Sequence, residues 1–125
     1  MEKENKVSLW LGYFEKENDF RDYMKVRYDK DGNYIPSKFQ EHFAIKKYNL
    51  DLSEIDWISD KCTDVELLLA GFSNDFEIIP QFKEMLENRD IEKYNSIVLF
   101  YNFEYKNNNC PTAELEYIGC ANVNL

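Results

Sequence analysis

IVLFYNFEYKNNNCPTAELEYIGCANV, residues 97–123, is the stretch that decides the fold class. Residues 97–105 and 113–123 each alternate, and Lys106-Asn107-Asn108-Asn109 between them is polar and turn-rich. That pattern reads as the two strands of a C-terminal β-hairpin. Pairing Glu104 with Glu114 keeps like faces together: Ile97, Leu99, Tyr101, Phe103 and Tyr105 then share a face with Ala113, Leu115, Tyr117, Gly119 and Ala121. The other face starts apolar, with Val98, Phe100, Ile118 and Cys120, and ends in Asn102, Glu116, Glu104 and Glu114. A helix-covered sheet with one acidic, uncovered end is expected.

Upstream, residues 7–13 alternate with Val7, Leu9, Leu11 and Tyr13 on one face and Trp10 on the other, which predicts a strand with apolar contacts on both sides. Residues 54–59, with Ile55, Trp57 and Ile58, predict an edge strand between acidic flanks. Helical spacing appears four times. Phe20, Tyr23, Met24 and Tyr28 mark a helix over 16–28, and Asp31-Gly32 a turn after it. Ser37 and Gln40 have the spacing of a capping box ahead of Phe39 and Phe43. Thr63 and Glu66 repeat that spacing ahead of Val65, Leu68, Leu69 and Phe72, with Gly71 placed to end the helix. Ile78, Ile79, Phe82, Met85 and Leu86 make the last helix, expected to begin near Pro80 because proline is tolerated only in a first turn. The fold class is therefore α+β: a mixed, mainly antiparallel sheet of about four strands with its helices packed mainly on one face.

The chain has 125 residues, suited to one domain over 1–125, and neither repeats nor a Pro/Gly/Ser linker interrupt it. Lys+Arg 15 against Asp+Glu 24 gives a net charge of −9, which repels phosphate backbones and argues against nucleic-acid binding. The charged first residues lack the apolar core of a signal peptide, and no apolar run reaches the roughly 20 residues of a membrane span, so a cytoplasmic protein that does not bind membranes is expected. Cys62, Cys110 and Cys120 are odd in number and widely spaced, as befits thiols in a reducing compartment, and they lack the close pairing of zinc ligands.

Catalytic chemistry finds little to work with. Nucleophilic catalysis needs a base, and His42 is the only histidine, placed between Phe39 and Phe43 where a structural role is expected. Asp56 and Asp60 form the sort of carboxylate pair found on any acidic surface. Asp29-Lys30-Asp31-Gly32-Asn33 resembles the start of a calcium loop, but Gln40 stands where the bidentate glutamate belongs. No glycine-rich phosphate loop is present, and neither a metal nor a cofactor is implied. Trp10 and Trp57, both in strand-like alternation, are expected in the core. What remains is charge: Glu104, Glu114 and Glu116 at the hairpin end, with Asp19 and Asp22 as a second patch. Like charges facing each other across strands cost stability unless something positive docks there, so these five are candidate partner contacts.

The segments VSLWLGYF (7–14), Tyr28 with Asp31-Gly32, PSKF (36–39), GFS (71–73), IPQF (79–82) and KYNSIVLFYNFEY (93–105) together resemble the Immunity protein 22 family of bacterial polymorphic-toxin systems. Tyr13 departs from the asparagine expected in that family's opening motif. The resemblance implies an α+β cytosolic protein that binds and neutralises a cognate toxin and supplies no catalytic residues. An acidic chain of this kind suits stoichiometric inhibition of a basic enzyme such as a nuclease by electrostatic steering. Two other classes compete. A non-catalytic adaptor would bind a peptide by strand addition at a free sheet edge, and a small hydrolase would need a pocket holding a titratable group of shifted pKa.

Overall fold

The computed structural model describes residues 1–46 and 48–125. Four strands, β1 (Glu2–Gly12), β4 (Ser53–Trp57), β5 (Ser96–Phe103) and β6 (Leu115–Asn122), form an antiparallel sheet in the order β4-β5-β1-β6. A two-stranded ribbon pairs β2 (Arg27–Tyr28) with β3 (Tyr34–Ile35). The helices are α1 (Glu17–Met24), α2 (Lys38–Phe43), α3 (Val65–Leu69) and α4 (Asp75–Met85), with 3-10 turns at Leu50–Leu52 and Ile91–Lys93. The α+β class, the mainly antiparallel four-stranded sheet and β4 at its edge agree with the sequence reading. Among the described residues no helix is long and apolar enough to cross a membrane.

The pairing of the last two strands differs. β5 and β6 do not form a hairpin, because β1 lies between them, with Leu9 opposite Leu99 on one side and Gly119 on the other. The cause is the apolar content of β1. Val7, Leu9, Trp10 and Leu11 are all fully buried, and a strand apolar on both faces is best covered in the middle of a sheet. Residues 104–114 are also far longer than a tight hairpin loop and reach across the intervening strand.

The helices cover both faces instead of mainly one. Val7, Leu9, Leu11, Ile97 and Leu99 pack with Leu68 and Leu69 of α3 and Ile78 and Phe82 of α4. On the opposite face Trp10, Val98 and Phe100 pack with Phe20 and Tyr23 of α1 and Phe39 and Phe43 of α2. Trp10 is the hub of this second core, with Phe39, Tyr105 and Tyr117 rings centred 5.1–5.2 Å away and Phe100 at 5.3 Å.

Strict alternation fails at two bulges. Asn5 and Asn102 both adopt left-handed backbone, at φ 62° and 56°, and the Asn5 N–H donates to Asn102 Oδ1 at 3.0 Å. Asparagine tolerates this conformation better than other side-chain-bearing residues, and the extra residues turn Phe103 and Tyr105 onto the Trp10 face. Buried Ser8 closes the gap: its hydroxyl donates to the Phe103 carbonyl at 2.8 Å and accepts from the Tyr105 N–H at 3.0 Å. In β6 the register slips between Leu9 and Trp10, which puts Leu115 and Tyr117 on the Trp10 face as well.

Three helix boundaries also move. α1 ends at Met24 and Tyr28 joins the β2–β3 ribbon, because the Asp29 carboxylate accepts from the Asp31 and Asn33 N–H groups and folds the chain into a turn with Gly32 at φ 81°. The Ser37–Gln40 capping box forms with both of its hydrogen bonds, whereas α3 is capped by Asp64, which accepts from the Leu67 N–H. Its carboxylate, one residue beyond Thr63, is a charged acceptor beside the helix dipole. α4 begins at Asp75, with Pro80 inside it on an exposed position. The carbonyl that loses its donor to the proline is that of Phe76, on an exposed turn where water can reach it, and the Gln81 side-chain amide donates to the neighbouring Glu77 carbonyl at 3.0 Å.

Candidate functional site

The five carboxylates singled out from the sequence fall in three places. Antiparallel pairing puts Phe103 opposite Glu2 and Leu115 opposite Gly12, so Glu104 and Glu114 lie near opposite ends of β1. At ~3.3 Å per residue that separation is about 30 Å. Glu104 sits beside the chain start, its N–H donating to the Met1 carbonyl at 2.7 Å and its carboxylate 3.4 Å from Lys106 Nζ. Glu116 is ion-paired with Arg89 and accepts from the Tyr94 hydroxyl at 3.2 Å. The postulated clash between Glu104 and Glu114 therefore does not exist.

Glu114, by contrast, is exposed and close to α1. Its carbonyl accepts from the Tyr13 N–H at 3.4 Å. Burial, and then the Glu114 charge, push the Tyr23 hydroxyl on α1 well above the usual phenol range. α1 carries Asp19 in its first turn and Asp22 further along, the latter 3.9 Å from Arg27. Asp19, Asp22 and Glu114 thus share one end of the molecule with Tyr13, which is 58% exposed.

A larger acidic surface escaped the sequence reading. Residues 60–90 carry eight carboxylates against three cations, which is five of the nine net negative charges. On this segment Phe76 is 75% and Leu67 62% exposed, although both sit in stretches of helical spacing. Charge summed by segment would have revealed this surface; apolar periodicity hid it, because Phe76 and Leu67 look like core residues.

His42, Asp29 and the two tryptophans are occupied structurally. His42 Nδ1 lies 2.8 Å from the Tyr23 hydroxyl, a bond between α2 and α1. Asp29 spends its carboxylate on its own turn, accepting also from Asn33 Nδ2 at 3.1 Å. Trp10 is core, and half-buried Trp57 packs against the same cluster while its indole N–H donates to the Phe14 carbonyl at 2.9 Å. Cys62, Cys110 and Cys120 are free thiols, with burial raising the first and third and the Thr112 hydroxyl lowering Cys110. Among the described residues no three of His, Cys, Asp and Glu are grouped to hold a metal. A cavity of about 550 Å³ opens beside the chain start, lined by Glu2, Lys46, Tyr48, Phe100 and Phe103 among others. Its Tyr48 hydroxyl is pushed up to about 12 by burial, the wrong direction for a base at neutral pH.

A family model described as Immunity protein 22 matches residues 7–124, nearly the whole chain. No curated protein and no solved structure matches it.

Proposed function

The chain belongs to the Immunity protein 22 family, and from that premise we propose that it binds a cognate bacterial toxin domain and neutralises it stoichiometrically, without turnover of its own. The target best suited to it is a basic enzyme such as a nuclease, met in the cytoplasm. Family membership carries this reading, and the charge distribution supports it: a net −9, five of it contributed by residues 60–90, would accelerate encounter with a basic partner. Of the carboxylates first considered, Asp19, Asp22 and Glu114 make the contact set, with exposed Tyr13 as the aromatic neighbour that holds the complex once formed. Glu116 is neutralised by Arg89, and Glu104 lies at the far end of the sheet.

Charge reversal separates these roles. The double variant Asp19→Lys, Glu114→Lys is expected to associate with the purified toxin about tenfold more slowly than the parent, and with a flatter salt dependence. Glu104→Lys should associate at the parent rate. Stopped-flow association at low and high ionic strength checks this, with circular dichroism confirming the fold. A double variant with the parent's rate and salt slope would move the interface away from α1.

A further inference from the structure

The two edges of the sheet are finished differently. In β6 the outward-facing backbone is sealed by side-chain amides. Asn109 donates to the Tyr117 carbonyl at 3.4 Å and accepts from its N–H at 2.7 Å. Gln81 does the same for Asn122, at 2.8 Å in both directions. Cys120 remains between them, flanked on both sides by groups that block an approaching strand.

β4 has no such seal at its centre. The Ile58 N–H donates to the Asn95 carbonyl at 2.9 Å, so in this antiparallel ladder Asp56 and Glu54 face β5 with their backbone groups, and Ser53, Ile55 and Trp57 face outward. The Ser53 N–H is taken by the Leu50 carbonyl, and the Trp57 N–H by the Asp56 carboxylate at 2.9 Å. The Ile55 N–H and carbonyl have no partner among the described residues. A recess of about 470 Å³ lies along this position, between residues 54–56 and residues 70–72. Its far wall is held in place from β4 itself: the Glu54 carboxylate accepts from the Ser73 N–H at 2.8 Å and the Ser73 hydroxyl at 2.6 Å.

We infer that the outer edge of β4 takes up an extended basic segment of a partner protein as a fifth strand, hydrogen-bonded at Ile55. The partner's identity as the toxin rests on the function proposed above; the chemistry of the segment does not. An extended backbone is what an unpaired N–H and carbonyl on an edge strand select. Charge then selects the sequence. A second copy of this chain docked antiparallel about Ile55 would set Glu54 directly against Asp56 twice, and like charges opposed across strands repel. A segment with an apolar residue beside Ile55 and lysine or arginine on either side relieves that repulsion.

The test uses the full isotope-labelled chain and a seven-residue peptide alternating lysine and valine, followed by NMR. The expected result is shifts confined to residues 54–56 and 70–72, slowed exchange of the Ile55 amide, and unmoved β6 amides. A peptide alternating glutamate and valine should leave this edge unchanged. Ile55→Pro removes only an outward N–H, which an edge strand tolerates, and should abolish the shifts. Asp56→Lys should weaken the lysine–valine peptide about two- to fivefold, which keeps the test alive if the proline variant fails to fold. Shifts spread over α1 or α4 instead, undiminished binding to Ile55→Pro, or a dimer through β4 in sedimentation velocity would each overturn the inference. Because no toxin is used, such a failure leaves the proposed function standing. Conversely, a parent chain that bound no toxin would remove that function without touching the edge.

Discussion

Trp10→Ala is expected to destabilise the protein by about 3–5 kcal/mol, the range for deleting a fully buried large aromatic. Trp10 has no exposed surface and is surrounded by Phe39, Phe43, Phe100, Phe103, Tyr105 and Tyr117, which reach it from α2, β5, β6 and the chain after β5. None of these elements can close the hole without leaving another contact, so the cavity stays largely open. For a chain of this size the loss corresponds to a fall of very roughly 10–20 °C in Tm. Trp10→Phe should be much milder. The Trp10 indole N–H is buried without an acceptor among the described residues, so phenylalanine gives up packing area but also removes an unpaired donor worth about 1–3 kcal/mol. Thermal and urea melts of the two variants check this, and equal losses would mean that the phenyl ring recovers none of the packing that the alanine variant gives up.

Gly12→Ala should be nearly as damaging, at about 3 kcal/mol or more, a backbone clash being harder to relieve than ordinary overpacking. A Cβ at this position would overlap the Glu114 carbonyl oxygen and sit 2.9 Å from the Leu115 Cα. Both are backbone atoms, so β1 and β6 would have to separate where the Tyr13 N–H meets that carbonyl. Gly119→Ala makes the control. Its Cβ would meet the Met85 sulfur at 2.5 Å, but that flexible side chain is 39% exposed and free to swing outward. A loss below about 1 kcal/mol is expected there. If Gly119→Ala proved the worse of the two, the packing of α4 on β6 would be tighter than the strand contact.

What the sequence disclosed, and what it hid, follows from how far each interaction reaches. The strands at 7–13, 54–59, 96–105 and 113–123, the Ser37–Gln40 cap and the turn at Gly32 are local patterns, and each is found near where it was expected. Strand order is not local. Alternation in residues 97–123 was compatible with a hairpin, and only the two-sided burial of Val7, Leu9, Trp10 and Leu11 forces β1 between the two partners. The Asn5–Asn102 and Leu9/Trp10 irregularities then invert the faces of Phe103, Tyr105, Leu115 and Tyr117, which no period-two reading anticipates. The candidate contacts suffered directly. A hairpin groups Glu104 with Glu114, yet the two lie apart, whereas Glu114 is brought beside the chain entering α1 by an adjacency, β6 beside β1, that the pattern does not contain.

Titrating the activity of a purified cognate toxin domain tests the central claim most directly. The expected result is activity that falls in proportion to added protein and reaches zero at one equivalent, with His42→Ala and single Cys62, Cys110 and Cys120→Ser variants giving the same end point. Full toxin activity at a large excess would contradict toxin binding, and complete inactivation by a small fraction of an equivalent would contradict stoichiometric inhibition in favour of an enzyme.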